Sequence, residues 1–377
     1  MRDHLRLALA GSLCAFSASA SAGLGDTLQT LRDNLQDTTQ RLQDNLQDTT
    51  QRLADNLQST GQRLGDGLQE TGQRLNDNLT ASFEQLRSEL EIGFARLQHR
   101  YLFPTDGTIA FEDAIEHEGV GRRIIYIRPE TTTETPAPAI VLLHYNTGTA
   151  EDIANAVDIG ALVAATGAWA IVPEGLNQHW NDDPGSVSGA DDVGFLAKLI
   201  ETATAQYPID ASRVYVAGMS NGGFMATRLA CERPELVAAV ASVAASMRTS
   251  QAAACAPAIG VPMVLILGTN DLYVAYNARL GLLSARETFD HWRGINHCDL
   301  SAVGETALPD TVNDGTTTVV SRGVDCGADT ALYTVNGGGH TWPQWTPTIS
   351  PYSLGRVAKD FSGNEAIWSF FSSHSRP

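Results

Sequence analysis

Lysine is nearly missing from this sequence, and the charge is one-sided. Its 377 residues include two lysines, Lys198 and Lys359, and the other basic side chains are arginines. Asp and Glu outnumber Lys and Arg by 43 to 25, which gives a formal charge of −18 at pH 7. So acidic a surface repels phosphate backbones and anionic lipid, which disfavours nucleic-acid binding and favours neutral substrates.

Long apolar runs and closely spaced cysteine pairs are absent as well. No run reaches the roughly 18 apolar residues of a transmembrane helix, so the sequence predicts no membrane span. No C-x-x-C pair occurs, so neither a zinc site nor a redox motif is indicated and no metal is predicted. Hydrophobic residues still make up 43% of the chain, enough for one large core and an accessory segment.

The amino terminus has the pattern of a secretory signal peptide. Arg2 and Arg6 lie at the start of an apolar stretch over 5–16, which small residues follow up to Ala20-Ser21-Ala22. This order of charged, apolar and small residues predicts a signal peptide over 1–22 and a secreted or periplasmic protein. A buried amphipathic helix is the structural alternative. A lipoprotein anchor at Cys14 is disfavoured because Leu13 is large for the residue before such a cysteine.

Four cysteines remain after residue 22. An even number in an oxidising compartment predicts two disulfides, for which three connectivities are possible. Pairing of sequence neighbours is the simplest, and four buried thiols are the alternative. The candidates are Cys231 with Cys255 and Cys298 with Cys326.

Residues 23–101 repeat every eleven positions. Two leucine series alternate at spacings of seven and four, which is 3.67 residues per helical turn and predicts a long, nearly straight helix. Acidic side chains four residues before arginines support that helix, whereas its glycines weaken it. The narrow leucine stripe needs a partner, so we expect a coiled-coil-like stalk that forms a homo-oligomer. A particle-binding helix and a loose low-complexity helix are the alternatives. The acid–arginine pairs are Asp37–Arg41, Asp48–Arg52 and Glu70–Arg74.

Residues 102–377 read as alternating strands and helices. Such alternation predicts one α/β domain with a mostly parallel sheet covered by helices on both faces. The predicted strands are 123–127, 139–144, 168–172, 213–218, 238–244, 262–267, 316–321 and 331–335. The predicted helices are 150–165, 191–205, 222–231, 286–292 and 364–371.

Ser220 lies in the sharpest motif of the chain. The segment Gly218-Met219-Ser220-Asn221-Gly222-Gly223 follows a predicted strand and opens a predicted helix. A serine on such a turn is held in a strained backbone with its hydroxyl exposed, as a nucleophile requires. A plain glycine-rich turn is the alternative.

A serine nucleophile needs a base, and the base needs an orienting acid. Asp271 follows the predicted strand 262–267, whereas Asp299, Asp310 and Asp314 lack a strand directly before them. His340 follows the strand 331–335 and three glycines, unlike the alternatives His291 and His297. The sequence therefore predicts Ser220, Asp271 and His340 as a catalytic triad.

The amide of Asn221, at a helix start, is a predicted oxyanion donor. The backbone N–H of Tyr145, in the loop after strand 139–144, is the second. His144 is expected to brace that loop, with a role as second base as the alternative.

Several of these motifs together resemble the secreted polyhydroxybutyrate depolymerase-like esterases, which are related to feruloyl and acetylxylan esterases. The resemblance covers roughly 120–375 and implies an α/β-hydrolase fold, carboxylic-ester hydrolysis through an acyl-enzyme and no cofactor. One departure is Tyr145, where the family usually has glycine after the histidine. The motifs that carry the resemblance are Gly218–Ala226, Leu229–Glu235, Gly268–Asp271, Gly338–Pro343, Trp180–Asp183 and Asp191–Phe195.

The identity of the natural ester is the most specific prediction made from the sequence. Hydroxyalkanoate esters, including polymeric ones, come first, and feruloyl or acetyl esters of plant cell walls come second. Trp180, Trp342 and Trp345 are candidates to line the substrate cleft, with core packing as the alternative. The alternative from a different functional class is an oligomeric structural protein whose hydrolase fold is inactive.

Overall fold

The computed structural model of this chain divides into two units, Met1–Glu91 and Ile92–Pro377. The predicted boundary at 101 stays a prediction, because residues 84–100 lie outside the described part of the chain. The structure describes residues 24–61, 73, 75–83, 101–131, 135–183, 189–279, 281–345 and 354–376.

The first unit contains helix α1, Leu24–Gly61, and residues 75–83 are helical as well. Two of the predicted ion pairs form, Asp37–Arg41 at 2.7 Å and Asp48–Arg52 at 2.8 Å. The signal peptide and the Glu70–Arg74 pair lie outside the described residues. An N-terminal helix therefore exists, whereas a continuous repeat over 23–101 and its self-association stay predictions. In the described ranges, no helix combines the length and the apolar character that crossing a membrane requires.

The second unit is built on one ten-stranded sheet in the order β1-β2-β4-β3-β5-β6-β7-β10-β9-β8. Strands β4, β3, β5, β6, β7 and β10 are parallel, and two antiparallel strands flank them on each side. The strands are β1 Thr108–His117, β2 Val120–Pro129, β3 Ala137–Leu143, β4 Trp169–Pro173, β5 Ile209–Met219, β6 Ala239–Val243, β7 Met263–Gly268, β8 Asp299–Ala307, β9 Thr317–Val324 and β10 Thr330–Asn336.

Helices cover both faces of this sheet, because the central strands are apolar on both sides. One buried cluster joins the sheet to α4, α5 and α7, and a second joins it to α2, α3 and α8. This is the predicted mostly parallel architecture, and it is the α/β-hydrolase fold. The helices are α2 Ala150–Ala156, α3 Ile159–Thr166, α4 Asp192–Gln206, α5 Asn221–Glu232, α6 Thr249–Ala254, α7 Ala285–Ile295 and α8 Gly363–Phe371.

The structure differs from the predicted elements in four places, one of which is the short helix α6, which the sequence does not predict. The helix predicted over 150–165 is two helices, because Asp158 adopts a left-handed conformation with φ of 50° and caps the second one. Strands β1 and β8 are additional, and both lie at the edges of the sheet.

Both predicted disulfides are present. Cys231, in the last turn of α5, is bonded to Cys255 directly after α6. Cys298, directly before β8, is bonded to Cys326 just after β9.

Candidate active site

Ser220 occupies a strained turn between β5 and α5. Its backbone has φ of 54° and ψ of −121°, a region that residues with a Cβ rarely adopt. The backbone N–H of Ser220 donates a 2.8 Å hydrogen bond to Val243 O at the end of β6. The turn is therefore fixed to the carboxyl edge of the sheet, and the Ser220 side chain remains partly exposed there.

Two glycines allow the backbone to pass closely around this turn. A Cβ on Gly218 would lie 2.2 Å from Gly222 O, and a Cβ on Gly222 would lie 2.4 Å from Leu143 O. Neither contact is possible for any other residue without a backbone shift. The first turn of α5 is thus held directly against the end of β3, where the predicted oxyanion loop begins.

Asp271 lies three residues after the end of β7, and its two carboxylate oxygens have different partners. Oδ1 accepts hydrogen bonds of 2.8 Å from the backbone N–H groups of Tyr273 and Val274. Oδ2 accepts a 2.7 Å hydrogen bond from His340 Nδ1. Because this bond takes the Nδ1 proton, the Nε2 atom of the neutral imidazole is left as a proton acceptor.

The loop after β10 brings His340 to Asp271. Gly338 O accepts a 2.9 Å hydrogen bond from Asn270 N, so the loops after β7 and β10 are tied together. The N–H of His340 donates to Leu354 O at 2.6 Å, and both His340 and Asp271 are buried. The predicted acid and the predicted base are therefore joined by a hydrogen bond.

The same edge of the sheet carries all three predicted triad residues. They follow the parallel strands β5, β7 and β10, whose carboxyl ends meet at one edge. Phe224, one turn after Ser220, also packs in a buried cluster with Val274 of the Asp271 loop. In the described part of the chain, no hydrogen bond joins Ser220 Oγ to His340 Nε2. Such bonds often tighten only when substrate binds.

The loop after β3 carries the predicted oxyanion donor Tyr145. Its carbonyl accepts hydrogen bonds from His144 Nδ1 at 2.8 Å and from Gly148 N at 3.0 Å. The Tyr145 ring is buried over Gly148, with its centroid 6.0 Å from that of Trp345. The backbone amide of Asn221 begins α5, where the first amides have no acceptor within the helix.

His144 braces this loop from inside the protein. Its Nε2 accepts a 2.9 Å hydrogen bond from the N–H of Gly175, so the ring proton is on Nδ1. Burial lowers the pKa of His144 to about 4, because a charged imidazolium is poorly solvated there. Both ring nitrogens are occupied in hydrogen bonds, so the ring has no free atom with which to act as a second base.

Trp180 is a framework residue, which corrects the prediction that it lines a cleft. None of its surface is exposed, and its indole N–H donates to His144 O at 3.0 Å. The Asn221 side chain accepts from Trp180 N at 2.7 Å and donates to Trp180 O at 2.9 Å. Trp180 thus connects the predicted oxyanion loop to the first residue of α5.

Trp342 and Trp345 are buried as well. The Trp342 indole donates a 3.1 Å hydrogen bond to Asn364 Oδ1 in α8, and both indoles pack in the cluster that α8 shares with the sheet. These two side chains therefore pack in the core, which is the alternative to substrate contact.

Sequence reasoning missed two residues beside this site. Glu174 follows β4, and its carboxylate accepts a 2.8 Å hydrogen bond from Ala150 N at the start of α2. Burial raises the pKa of Glu174 to about 7, against the opposing effects of that bond and of Arg123. Tyr273 is exposed, with its ring centroid 5.2 Å from that of His340. Its place two residues after Asp271 was the available signal.

A buried ion pair supports the segment around Trp180. Arg122 donates to Asp192 Oδ1 at 2.8 Å, and Asp192 Oδ2 accepts from Asn181 N at 2.7 Å. The guanidinium of Arg122 also lies 4.0 Å from the centroid of the Phe195 ring. Two of the motifs that carry the family resemblance are therefore connected by one network.

Comparison with known proteins agrees with this architecture. Residues 122–275 match the family model described as esterase PHB depolymerase. A putative esterase, NocK, from Nocardia uniformis is 28% identical over 60% of this chain and 71% of its own length. Feruloyl esterase B from Piromyces equi is also 28% identical, over 58% of this chain and 42% of its own length.

Two further comparisons concern acetylxylan esterases. Acetylxylan esterase A from Aspergillus oryzae is 26% identical over 65% of this chain and 73% of its own length. The solved structure of an acetyl xylan esterase from Aspergillus awamori superposes with a TM-score of 0.51 at 17% identity. It covers 70% of this chain and 99% of its own, which shows the fold. The predicted resemblance to the polyhydroxybutyrate depolymerase-like esterases of the α/β-hydrolase superfamily is therefore confirmed.

Proposed function

We propose that this protein is a secreted serine esterase that hydrolyses carboxylic esters through an acyl-enzyme. The observation that carries the proposal is the hydrogen-bonded pair of Asp271 and His340 at the sheet edge where Ser220 occupies a strained turn. Esterases among the similar proteins support the reaction class. The predicted signal peptide and the two disulfides support secretion.

The first half of the reaction forms the acyl-enzyme. His340 Nε2 takes the proton of Ser220 as its Oγ attacks the ester carbonyl carbon. The carbonyl oxygen becomes an oxyanion, which the backbone N–H groups of Asn221 and Tyr145 stabilise. His340 then gives its proton to the departing alkoxide, and the C–O bond of the ester breaks.

The second half releases the acid. A water molecule gives a proton to His340 Nε2 and attacks the acyl carbon, and the bond to Ser220 Oγ breaks as His340 returns the proton. Asp271 keeps the imidazole in the Nδ1-protonated tautomer throughout and stabilises the imidazolium that forms. No metal or cofactor takes part in these steps.

Hydroxyalkanoate esters, including polymeric ones, are the proposed substrates. The match to the polyhydroxybutyrate depolymerase family model supports this choice. The acidic surface also favours a neutral ester over an anionic one. Feruloyl and acetylxylan esters are the second candidates, which the names of the similar proteins support.

One set of measurements tests the reaction and separates these substrates. A fluorophosphonate probe should label the wild-type protein, and Ser220→Ala should lose labelling and at least about a thousandfold in turnover of p-nitrophenyl butyrate. Ser301→Ala, on the edge strand β8, is the matched control and should keep both. Hydrolysis of a peptide anilide instead of the ester would contradict the reaction class. Clearing of a polyhydroxybutyrate emulsion, compared with release of ferulate from its methyl ester, separates the two substrate classes.

The alternative of an inactive structural oligomer makes the opposite prediction. Such a protein would show no labelling of Ser220 and no ester turnover. The proposed stalk is tested separately by sedimentation of residues 23–101, which as a monomer at high concentration would contradict self-association.

A further inference from the structure

Two apolar side chains directly after the proposed catalytic acid are exposed to solvent. Leu272 is 78% exposed and Tyr273 is 57% exposed. Leu272 is the most exposed large apolar side chain in the described part of the chain. Exposure of neighbouring apolar residues is unfavourable in water and often marks a binding surface.

The catalytic acid itself holds this pair in place. Asp271 Oδ1 accepts the backbone N–H of Tyr273 at 2.8 Å, while Oδ2 accepts His340 Nδ1 at 2.7 Å. The next residue, Val274, is bonded to the same Oδ1 at 2.8 Å and packs in a buried cluster with Phe224. The backbone that carries Tyr273 is therefore fixed by the groups that orient the base.

The Tyr273 ring packs against the ring of the base. The centroids of Tyr273 and His340 are 5.2 Å apart, and the rings are tilted by 44°. This contact covers part of one side of the imidazole, while more than half of Tyr273 stays open to solvent. An apolar group that approaches His340 from outside thus meets the Tyr273 ring.

The mechanism of ester cleavage determines which part of a substrate lies beside His340 and the Tyr273 ring. His340 must hand its proton to the alcohol oxygen as the ester bond breaks, so the alcohol portion lies next to the imidazole. The acyl carbonyl oxygen instead faces the oxyanion donors after β3 and at the start of α5. The Tyr273 ring, which packs against the imidazole, therefore lies on the side of the departing alcohol, and Leu272 is its exposed neighbour along the chain.

We propose that Leu272 and Tyr273 form a binding subsite for an apolar alcohol portion of the ester. This inference rests on the proposed function and deepens it, since it assigns selectivity for the leaving group to a named surface. The subsite favours esters of alkyl or aromatic alcohols over methyl esters, because larger alcohols bury more of the two exposed side chains.

Two series of esters test this subsite. The first keeps a butyryl group and varies the alcohol through methanol, butanol and 2-phenylethanol. The second keeps methanol and varies the acid through acetate, butyrate and hexanoate. The measured quantity is kcat/KM, which reports on steps up to the first irreversible one, acylation, while the alcohol is still attached.

The double variant Leu272→Ala/Tyr273→Ala should lose about tenfold or more of the preference for 2-phenylethyl over methyl butyrate. Its selectivity among the three methyl esters should stay as in the wild type. Leu300→Ala, which removes a side chain 60% exposed on the edge strand β8, is the matched control and should change neither series. An equal thermal midpoint and equal fluorophosphonate labelling would show that the double variant retains its fold and reactive serine.

Three results would overturn the inference. In the first, the wild type shows no preference along the alcohol series, and in the second, the double variant keeps that preference. In the third, the variant loses the same factor on every ester with a displaced pH profile, which shows that the pair only positions His340. Failure of the proposed function looks different, because the wild-type protein would then hydrolyse none of the esters and react with no fluorophosphonate.

Discussion

The Nε2 atom of His144 accepts a 2.9 Å hydrogen bond from the backbone N–H of Gly175. The opposite ring nitrogen donates to Tyr145 O, and His144 O accepts the indole N–H of Trp180. These bonds hold the loop after β3 from its buried side. A neutral imidazole is required, because a proton on Nε2 would face the N–H of Gly175.

This neutral histidine predicts loss of stability in mild acid. The pKa of His144 in the fold, about 4, lies below its ordinary value of 6.5, so the unfolded chain binds the proton first. The neutral His144 side chain contributes about 3 kcal/mol to the free energy of unfolding. This contribution is complete above about pH 6.5 and is lost as pH falls toward 4. Urea unfolding at pH 7, 5.5 and 4 measures the change in the free energy of unfolding. His144→Gln, which does not titrate, should show a shallower loss, and an equal slope in both proteins would contradict the assignment.

Asp271→Asn tests how the acid orients the base. The two backbone N–H groups at Oδ1 keep an oxygen on that side, so the new amide N–H₂ faces His340. Because an amide nitrogen donates, the imidazole must turn to the tautomer with its proton on Nε2, which cannot accept the Ser220 proton. We expect kcat for p-nitrophenyl butyrate to fall by roughly 10³- to 10⁴-fold.

The matched control for that substitution is Asp299→Asn. Asp299 also accepts hydrogen bonds from a nearby residue, Ser301, but lies on β8 away from the triad loops. Its activity should remain within about twofold of the wild type. If kcat of Asp271→Asn fell by less than tenfold, with an unchanged thermal midpoint, Asp271 would not be a member of the triad.

The sequence predicts the central sheet and the Asp271–His340 contact because both depend on order along the chain. Apolar strands followed by Asp271 and by His340 end at one edge in any parallel sheet. The edge strands were missed for a physical reason. β1 and β8 are largely exposed and carry polar side chains, so they show no apolar run. They form strands because they pair with β2 and β9 in the sheet, and this pairing is not apparent from the local sequence.

Trp180 illustrates the other limit of the sequence. An indole beside a family motif is equally compatible with a substrate surface and with a core. Its burial depends on Asn221 and His144, which are 41 and 36 residues away. The break at Asp158 was missed likewise, because a left-handed residue between two apolar stretches leaves the helical spacing almost intact.

Glu174 should affect the pH dependence of stability in the opposite direction to His144, and the variant Glu174→Gln tests this. Burial raises the pKa of Glu174 to about 7, above its ordinary value of 4.5. The fold therefore binds this proton more tightly than the unfolded chain, and the contribution is complete below pH 4.5 and lost as pH rises through 7. A glutamine keeps an acceptor for Ala150 N without the charge. We expect Glu174→Gln to unfold like the wild type near pH 4 and to be more stable by roughly 2–3 kcal/mol at pH 8.5.

Chemical denaturation at those two pH values measures the difference. Glu365→Gln is a suitable control, because that carboxyl begins α8 at the surface, and its variant should show no pH-dependent gain. A destabilised Glu174→Gln at pH 8.5 would mean that the ion pair of Glu174 with Arg123, at 3.9 Å, outweighs the cost of burial.

Removal of the bond between Cys231 and Cys255 should lower stability without reducing chemistry. The bond closes a loop with a sequence separation of 24, for which the chain-entropy model gives about 3 kcal/mol. The double variant Cys231→Ala/Cys255→Ala leaves no free thiol from this pair. Its urea midpoint should fall, while kcat per labelled serine at 25 °C stays within about twofold because neither sulfur lies in the triad loops.

The second disulfide supplies the matched comparison for this prediction. Cys298 and Cys326 are separated by 28 residues, so the same model gives nearly the same loss for their double alanine variant. Equal losses from the two variants indicate that the disulfides act on the unfolded chain. A large loss of kcat on breaking only the first would instead show that the Cys231–Cys255 bond holds α5, and with it Ser220, in its active position. A loss below about 1 kcal/mol in both would contradict the entropic account, because two loops of this length cannot both be nearly free to close.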